Sequence, residues 1–145
     1  MRKNFKNIEN KKSKSRYGMT IIHETDVPEV EHPGRFMRWL ANEDSLHAKN
    51  LSVCVIRVMP GETVRPAHSH PLGEELIYII TGSGKVMIEG ELGDVKAGSA
   101  VLFEQGKIHM LRNTGTVEMK VICFFAPATG VENYKMFEDV SFPEE

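Results

Sequence analysis

A chain of 145 residues is long enough for one domain with a single buried core and too short for two. With 41% hydrophobic and 26% charged residues it has the composition of an ordinary soluble globular protein, and no apolar run approaches the roughly 20 residues a membrane helix needs. The formal net charge of −2 is unevenly spread: residues 1–18 carry Arg2, Lys3, Lys6, Lys11, Lys12, Lys14 and Arg16 against one acid, Glu9, so the remainder is strongly acidic.

The basic arm has only Phe5 and Tyr17 as stacking groups, and no helix-turn-helix pattern accompanies it. Residues 1–18 are therefore expected to form a solvated extension rather than a nucleic-acid-binding segment. No apolar segment follows the basic start, so no secretory signal is expected. Cys54 and Cys123 are too few for a disulfide framework; both lie in apolar runs and read as buried, inert thiols. A reducing cytoplasm is the expected compartment.

In chain order, residues 19–23 form a short apolar run, followed by a proline- and acid-rich stretch at 27–34. Residues 36–40 read as a strand and 42–50 as a polar loop. From there short strands alternate with turns, which is an all-β pattern. Residues 53–58 form a strand closed by Met59-Pro60-Gly61-Glu62. Residues 75–80 form another, and Gly82-Ser83-Gly84 reads as a hairpin turn back into 85–89. A turn at 90–93 leads through 94–96 to a strand at 99–103, then to strands at 108–112 and 118–126. No segment holds a helical period over 11 residues, although one helical turn is expected around 133–137.

Strand residues alternate between faces. Glu75, Ile77 and Ile79 share one face of the 75–80 strand, and Leu76, Tyr78 and Ile80 share the other. Both faces are largely apolar, so both are expected to be buried. The second face, with Ile122 and Phe124, needs cover from residues 19–23 and 36–40 or from a second copy, and a homodimer is the expectation.

The chemistry concentrates around His68-Ser69-His70. Two histidines two apart on a strand project from one face with Cα atoms about 6.6 Å apart, a spacing that lets both imidazoles converge on one metal ion. Pro71-Leu72-Gly73 then reverses the chain toward a strand that opens with Glu74 and Glu75, and a distant strand offers His109. Three neutral imidazoles and one carboxylate would leave a bound dication with a residual charge near +1 and open positions for a ligand. A lone His-x-His is a weak signal, because exposed strand histidines are common. His23, His32 and His47 lack ligand spacing and read as surface groups. Trp39, Met110 and Met119 read as packing, and Arg38 as a solvated charge.

The pattern extends over two blocks. Gly61, six residues, His68-Ser69-His70, four residues, Glu75, six residues and Gly82 make the first. Gly98, five residues, Glu104-Gln105-Gly106, two residues, His109, three residues and Asn113 make the second. In these blocks the chain resembles the cupin superfamily, over about residues 53–127. The gap from Gly61 to His68 is one residue longer than the family's, with Pro66 to absorb it, and Glu104 stands where the family has a turn proline. Neither departure falls on a ligand.

The resemblance implies a single-domain jelly-roll β-barrel of short antiparallel strands at 19–145. It also implies one divalent metal ion (Mn, Fe, Ni or Zn) on His68, His70, Glu75 and His109. Glu75 is preferred to Glu74 because the spacing to Gly82 counts from it and because it shares a face with Ile77 and Ile79. The family hosts many chemistries. The first functional expectation is a metal-dependent enzyme on a small polar metabolite, an oxidoreductase of dioxygenase type, an isomerase or a lyase. The alternative is a non-catalytic domain that binds or senses a small ligand.

Overall fold

The computed structural model describes residues 13–14 and 20–144. The reading of residues 1–18 as a solvated extension lies outside the described residues, apart from Ser13–Lys14. Thirteen short strands follow one another: β1 (Ser13–Lys14), β2 (Thr20–Ile21), β3 (Val30–His32), β4 (Arg35–Ala41), β5 (Ser52–Val58), β6 (Ala67–Ser69), β7 (Glu74–Thr81), β8 (Ser83–Ile88), β9 (Glu91–Lys96), β10 (Ala100–Phe103), β11 (His109–Asn113), β12 (Met119–Ala126) and β13 (Lys135–Phe137). Two 3-10 turns, Glu24–Asp26 and Val131–Asn133, complete the described elements.

Every strand pairing is antiparallel. A six-stranded sheet runs β10-β7-β12-β5-β4-β3, and a five-stranded sheet runs β13-β6-β11-β8-β9. The chain is an all-β jelly-roll of these two sheets, and the inner faces enclose the core. Ile77, Ile79, Val121, Met119, Val58 and Phe125 are all but inaccessible to solvent. Each such side chain contributes roughly 1.5–3 kcal/mol by leaving water.

The period of two along β7 and β12 positions the site. On β7, Glu75, Ile77 and Ile79 are buried while Glu74, Leu76, Tyr78 and Ile80 are exposed. On β12, Met119, Val121, Cys123 and Phe125 point inward. The sheet thus presents one dry face and one wet face, so the expectation that both faces of the 75–80 strand are buried is corrected for the single chain. Residues 36–40 do not cover the outer face either, because β4 lies beside β5 in the same sheet and extends it.

Two further expectations are corrected. Gly82 is not a hairpin turn: β7 pairs with β10 and β12, whereas β8 pairs with β11 and β9, so Gly82 is the corner where the chain passes from one sheet to the other. Its φ is +87°, and a Cβ there would meet the Met119 Cα at 2.9 Å, so this close corner suits glycine alone. The helical turn expected at 133–137 falls earlier, at Val131–Asn133. Lys135–Phe137 instead pairs with β6, with Met136 opposite His68. Trp39, Met110 and Met119 pack into or against the core as expected. Arg38 is less solvated than expected, with Glu29 and the carbonyls of Glu24 and Val27 around it.

Candidate metal centre

Four inward side chains meet between the sheets. His68 and His70 stand on β6 and at its end, His109 opens β11 directly opposite His68, and Glu75 comes from the facing sheet. One donor atom from each lies within 4.8 Å of the others, and all four residues are buried. The sequence set of His68, His70, Glu75 and His109 is therefore brought together, and Glu74 is left exposed on the outer face.

The imidazoles are oriented by their second nitrogens. The Nδ1 of His68 lies 3.0 Å from the Pro66 carbonyl oxygen, and the Nδ1 of His109 lies 2.9 Å from that of Lys107. A carbonyl only accepts, so each Nδ1 carries a proton and each Nε2 is turned toward the centre; in His68, kept neutral by burial, Nε2 then keeps its lone pair, the tautomer a metal requires. Glu75 Oε2 lies 2.7 Å from His70 Nε2 and 3.2 Å from His109 Nε2. His70 Nδ1 is buried with no hydrogen-bond partner, an orphaned polar atom of a kind that folded proteins rarely tolerate.

Electrostatics favour the ligand forms. Burial, then the proximity of His109, pushes His68 down to about 3, so its imidazole is neutral at ordinary pH. Burial opposes ionisation of Glu75, but the hydrogen bonds from His109 and His70 outweigh it and hold the carboxyl well below its usual range. A neutral His68, two further imidazoles and a carboxylate form a donor set that could hold a divalent ion.

Aromatic rings close the surroundings. Phe103 stacks on His109 at 3.8 Å between centroids, and Phe125 meets His70 edge-on at 5.2 Å. Tyr134 lies parallel to His68 at 5.1 Å and edge-on to His70 at 4.4 Å. Burial, then the charge of Glu75, pushes its hydroxyl up, so it stays protonated. Tyr134 is the site residue that sequence reasoning missed. It sits one residue past the Val131–Asn133 turn, in a segment with no motif. Beyond the Trp39–Phe125 contact of 5.6 Å opens a cavity of about 680 Å³, whose wall includes Trp39, Met37, Ser52 and Val131.

Cys54 and Cys123 face each other across β5 and β12, and both are free and buried. The contact with Cys54, together with burial, raises Cys123 and keeps it a thiol. No helix among the described residues is long and apolar enough to cross a membrane.

The chain is similar in sequence and fold to known proteins. A family model described as a Cupin domain matches residues 54–125. The tetracenomycin polyketide synthase protein TcmJ of Streptomyces glaucescens is 30% identical over 103 residues, 71% of this chain and 68% of that protein. Protein SchB of Streptomyces halstedii is 29% identical over 107 residues, 74% of this chain and 77% of that protein. A solved structure from Thermotoga maritima, described as a predicted oxalate decarboxylase, superposes with a TM-score of 0.66 at 20% identity. That superposition spans 74% of this chain and 98% of the other, a likeness of fold.

Proposed function

The chain belongs to the cupin superfamily, and on that premise we propose that His68, His70, Glu75 and His109 hold one divalent ion in an enzyme acting on a small polar metabolite. The observation that carries the reading is the buried convergence of three imidazoles and a carboxylate, with two imidazoles oriented by backbone carbonyls at their Nδ1 atoms. Manganese, iron, nickel or zinc suits such a donor set. When bound, the ion would supply Lewis acidity or a redox centre toward a chelating oxygen ligand. Tyr134 covers the imidazoles and offers a protonated hydroxyl, a donor for a ligand oxygen. Phe103 and Phe125 exclude water and hold the His109 and His70 rings in place. TcmJ is named for polyketide synthesis and the Thermotoga protein for oxalate decarboxylation. Both names fit small oxygen-bearing ligands, and oxidoreductase, isomerase or lyase chemistry is open to such a centre.

A non-catalytic binding or sensing role is the second reading. In its favour, the rings stacked on the imidazoles carry a single hydroxyl, that of Tyr134, and no acid–base pair outside the ligand set. Residues 19–145 form the domain in this proposal, with 1–18 as an extension, and a reducing cytoplasm suits the two free thiols. The chain pairs with a second copy through the outer face of β7, β10 and β12. There Leu102, Leu76 and Phe124 form one cross-strand row, and Tyr78 and Ile122 share the next. Leu76, Tyr78, Leu102 and Phe124 are 39–45% exposed, a contiguous apolar patch on a monomer.

The metal reading is tested with Glu75→Gln and Glu74→Gln. The first is expected to lower metal content of the purified protein at least about tenfold, and the second to leave it unchanged. Equal behaviour of the two variants contradicts the assignment of Glu75.

A further inference from the structure

Apart from the four clustered residues, Arg35 is the most deeply buried charged side chain among the described residues, at 5% exposure. A buried cation is costly unless it is paired, and Arg35 has no carboxylate partner among the described residues. Its Nη1 donates to the carbonyl oxygens of Arg65 at 3.2 Å and Pro33 at 3.5 Å. Nε and Nη2 have no protein acceptor among the described residues.

The surroundings form a built pocket. The turn Pro33-Gly34 docks against the segment leading to β6: Arg65 N–H donates to the Pro33 carbonyl at 3.1 Å. Gly34 lies so close that a Cβ there would collide with the Thr63 carbonyl oxygen, so the approach requires glycine. Beside this junction is a cavity of about 530 Å³ lined by Glu31, His32, Arg35, Arg57, Glu62 and Arg65, and by none of the four clustered residues.

The charges of that cavity differ in their commitments. Arg57 is already saturated, with Glu29 at 2.7 Å and Glu118 at 2.8 Å. Arg65 lies 3.6 Å from Glu62 and donates to the Thr63 carbonyl. Among the described residues, only the Arg35 guanidinium of this wall is left without a counter-charge.

From this arrangement we propose that the cavity beside Arg35 is a binding site for a small monocarboxylate, which pairs with the free edge of the Arg35 guanidinium. A carboxylate matches the planar Nε–Nη2 edge with two parallel hydrogen bonds. One unpaired cation compensates one negative charge, and Glu31 and Glu62 in the wall repel a second, so a phosphate dianion fits less well. None of the four clustered residues lines the cavity, although the charge of Arg35 reaches Tyr134, which lies over His68 and His70.

The test is a titration of the full-length, metal-free protein with sodium acetate at constant ionic strength, followed by ¹H–¹⁵N NMR. Saturable shifts are expected at the Gly34 and Arg65 amides, with a dissociation constant of about 1–10 mM. Phosphate is expected to bind more weakly. Arg35→Gln is expected to weaken acetate binding at least about tenfold. Glu62→Gln, at an exposed position that does not threaten folding, is expected to strengthen it about two- to threefold by removing a like charge. A linear response to 100 mM acetate (about a hundredfold above a 1 mM constant) overturns the proposal. So does equal or tighter phosphate binding, or acetate affinity unchanged by Glu62→Gln.

Discussion

The inner and outer faces of the six-stranded sheet are built from the same strands and differ by one residue in phase. Inward, β7 and β12 carry Glu75, Ile77, Ile79, Val121, Cys123 and Phe125, which are sealed from water. Outward, the same strands carry Leu76, Tyr78, Ile80 and Phe124, which the described residues leave exposed, and a half-buried Ile122. Burial is what sets the electrostatics of the inner face. It keeps His68 neutral, and against it the hydrogen bonds from His109 and His70 hold Glu75 as a carboxylate among imidazoles. The outer face has the apolar surface but none of the enclosure, and its value lies in what it can pair with.

Neighbouring phenylalanines give the largest expected contrast. Phe125→Ala empties a core position that touches Trp39, His70 and Tyr134, and it is expected to cost about 3–5 kcal/mol by urea denaturation. Phe124→Ala, one residue away on the outer face, is expected to cost less than about 1 kcal/mol at concentrations where the chain is monomeric. Similar losses for the two would erase the distinction between faces.

Charging the outer face sharpens the comparison. Tyr78→Glu is expected to raise the dimer dissociation constant at least about tenfold, because it places a carboxylate in the apolar patch. Sedimentation at micromolar concentration reads the outcome. Wild type should run as a dimer and the variant at 16.4 kDa. A wild-type species already at 16.4 kDa contradicts the pairing.

Acid should attack the inner face. An unfolded His68 takes up a proton near 6.5, but the folded one does so only near 3. The unfolded state therefore binds more protons in that window, and stability falls as pH drops below 6.5. Glu75, also held low in the fold, adds a loss of the same sign below about 4.5. The melting temperature of metal-free protein should be level near pH 7–8 and fall on acidification from about 6.5. A level profile down to pH 4 would contradict the buried neutral imidazole.

The smallest effect belongs to the exposed charges of β5. Arg57 bridges Glu29 and Glu118 at one-third exposure. Arg57→Gln is expected to cost about 1 kcal/mol or less, and less still at high salt.

The alternation of β7 could be read from the chain because it depends on local spacing: a two-residue repeat decides that Glu75, not Glu74, faces inward, whereas the grouping of the distant His109 with His68 and His70 comes from the two-block resemblance. What could not be read depends on tertiary closure. Gly82-Ser83-Gly84 has the residues of a hairpin turn, yet whether β7 and β8 pair is decided by their partners β12 and β11. Tyr134 reaches the imidazoles only because β13 pairs with β6, and three short residues carry no periodic signal of that pairing. Arg35 likewise looks like any strand arginine until the Pro33-Gly34 turn is docked on Thr63.

Metal titration of metal-free protein by calorimetry, wild type beside a His68→Ala, His70→Ala double variant, reads the inner face most directly. Manganese or zinc should bind wild type at one ion per chain, with affinity at least about a hundredfold above that of the double variant. Equal stoichiometry and affinity in the two proteins would show that the ion binds elsewhere and that the buried cluster is not a metal centre.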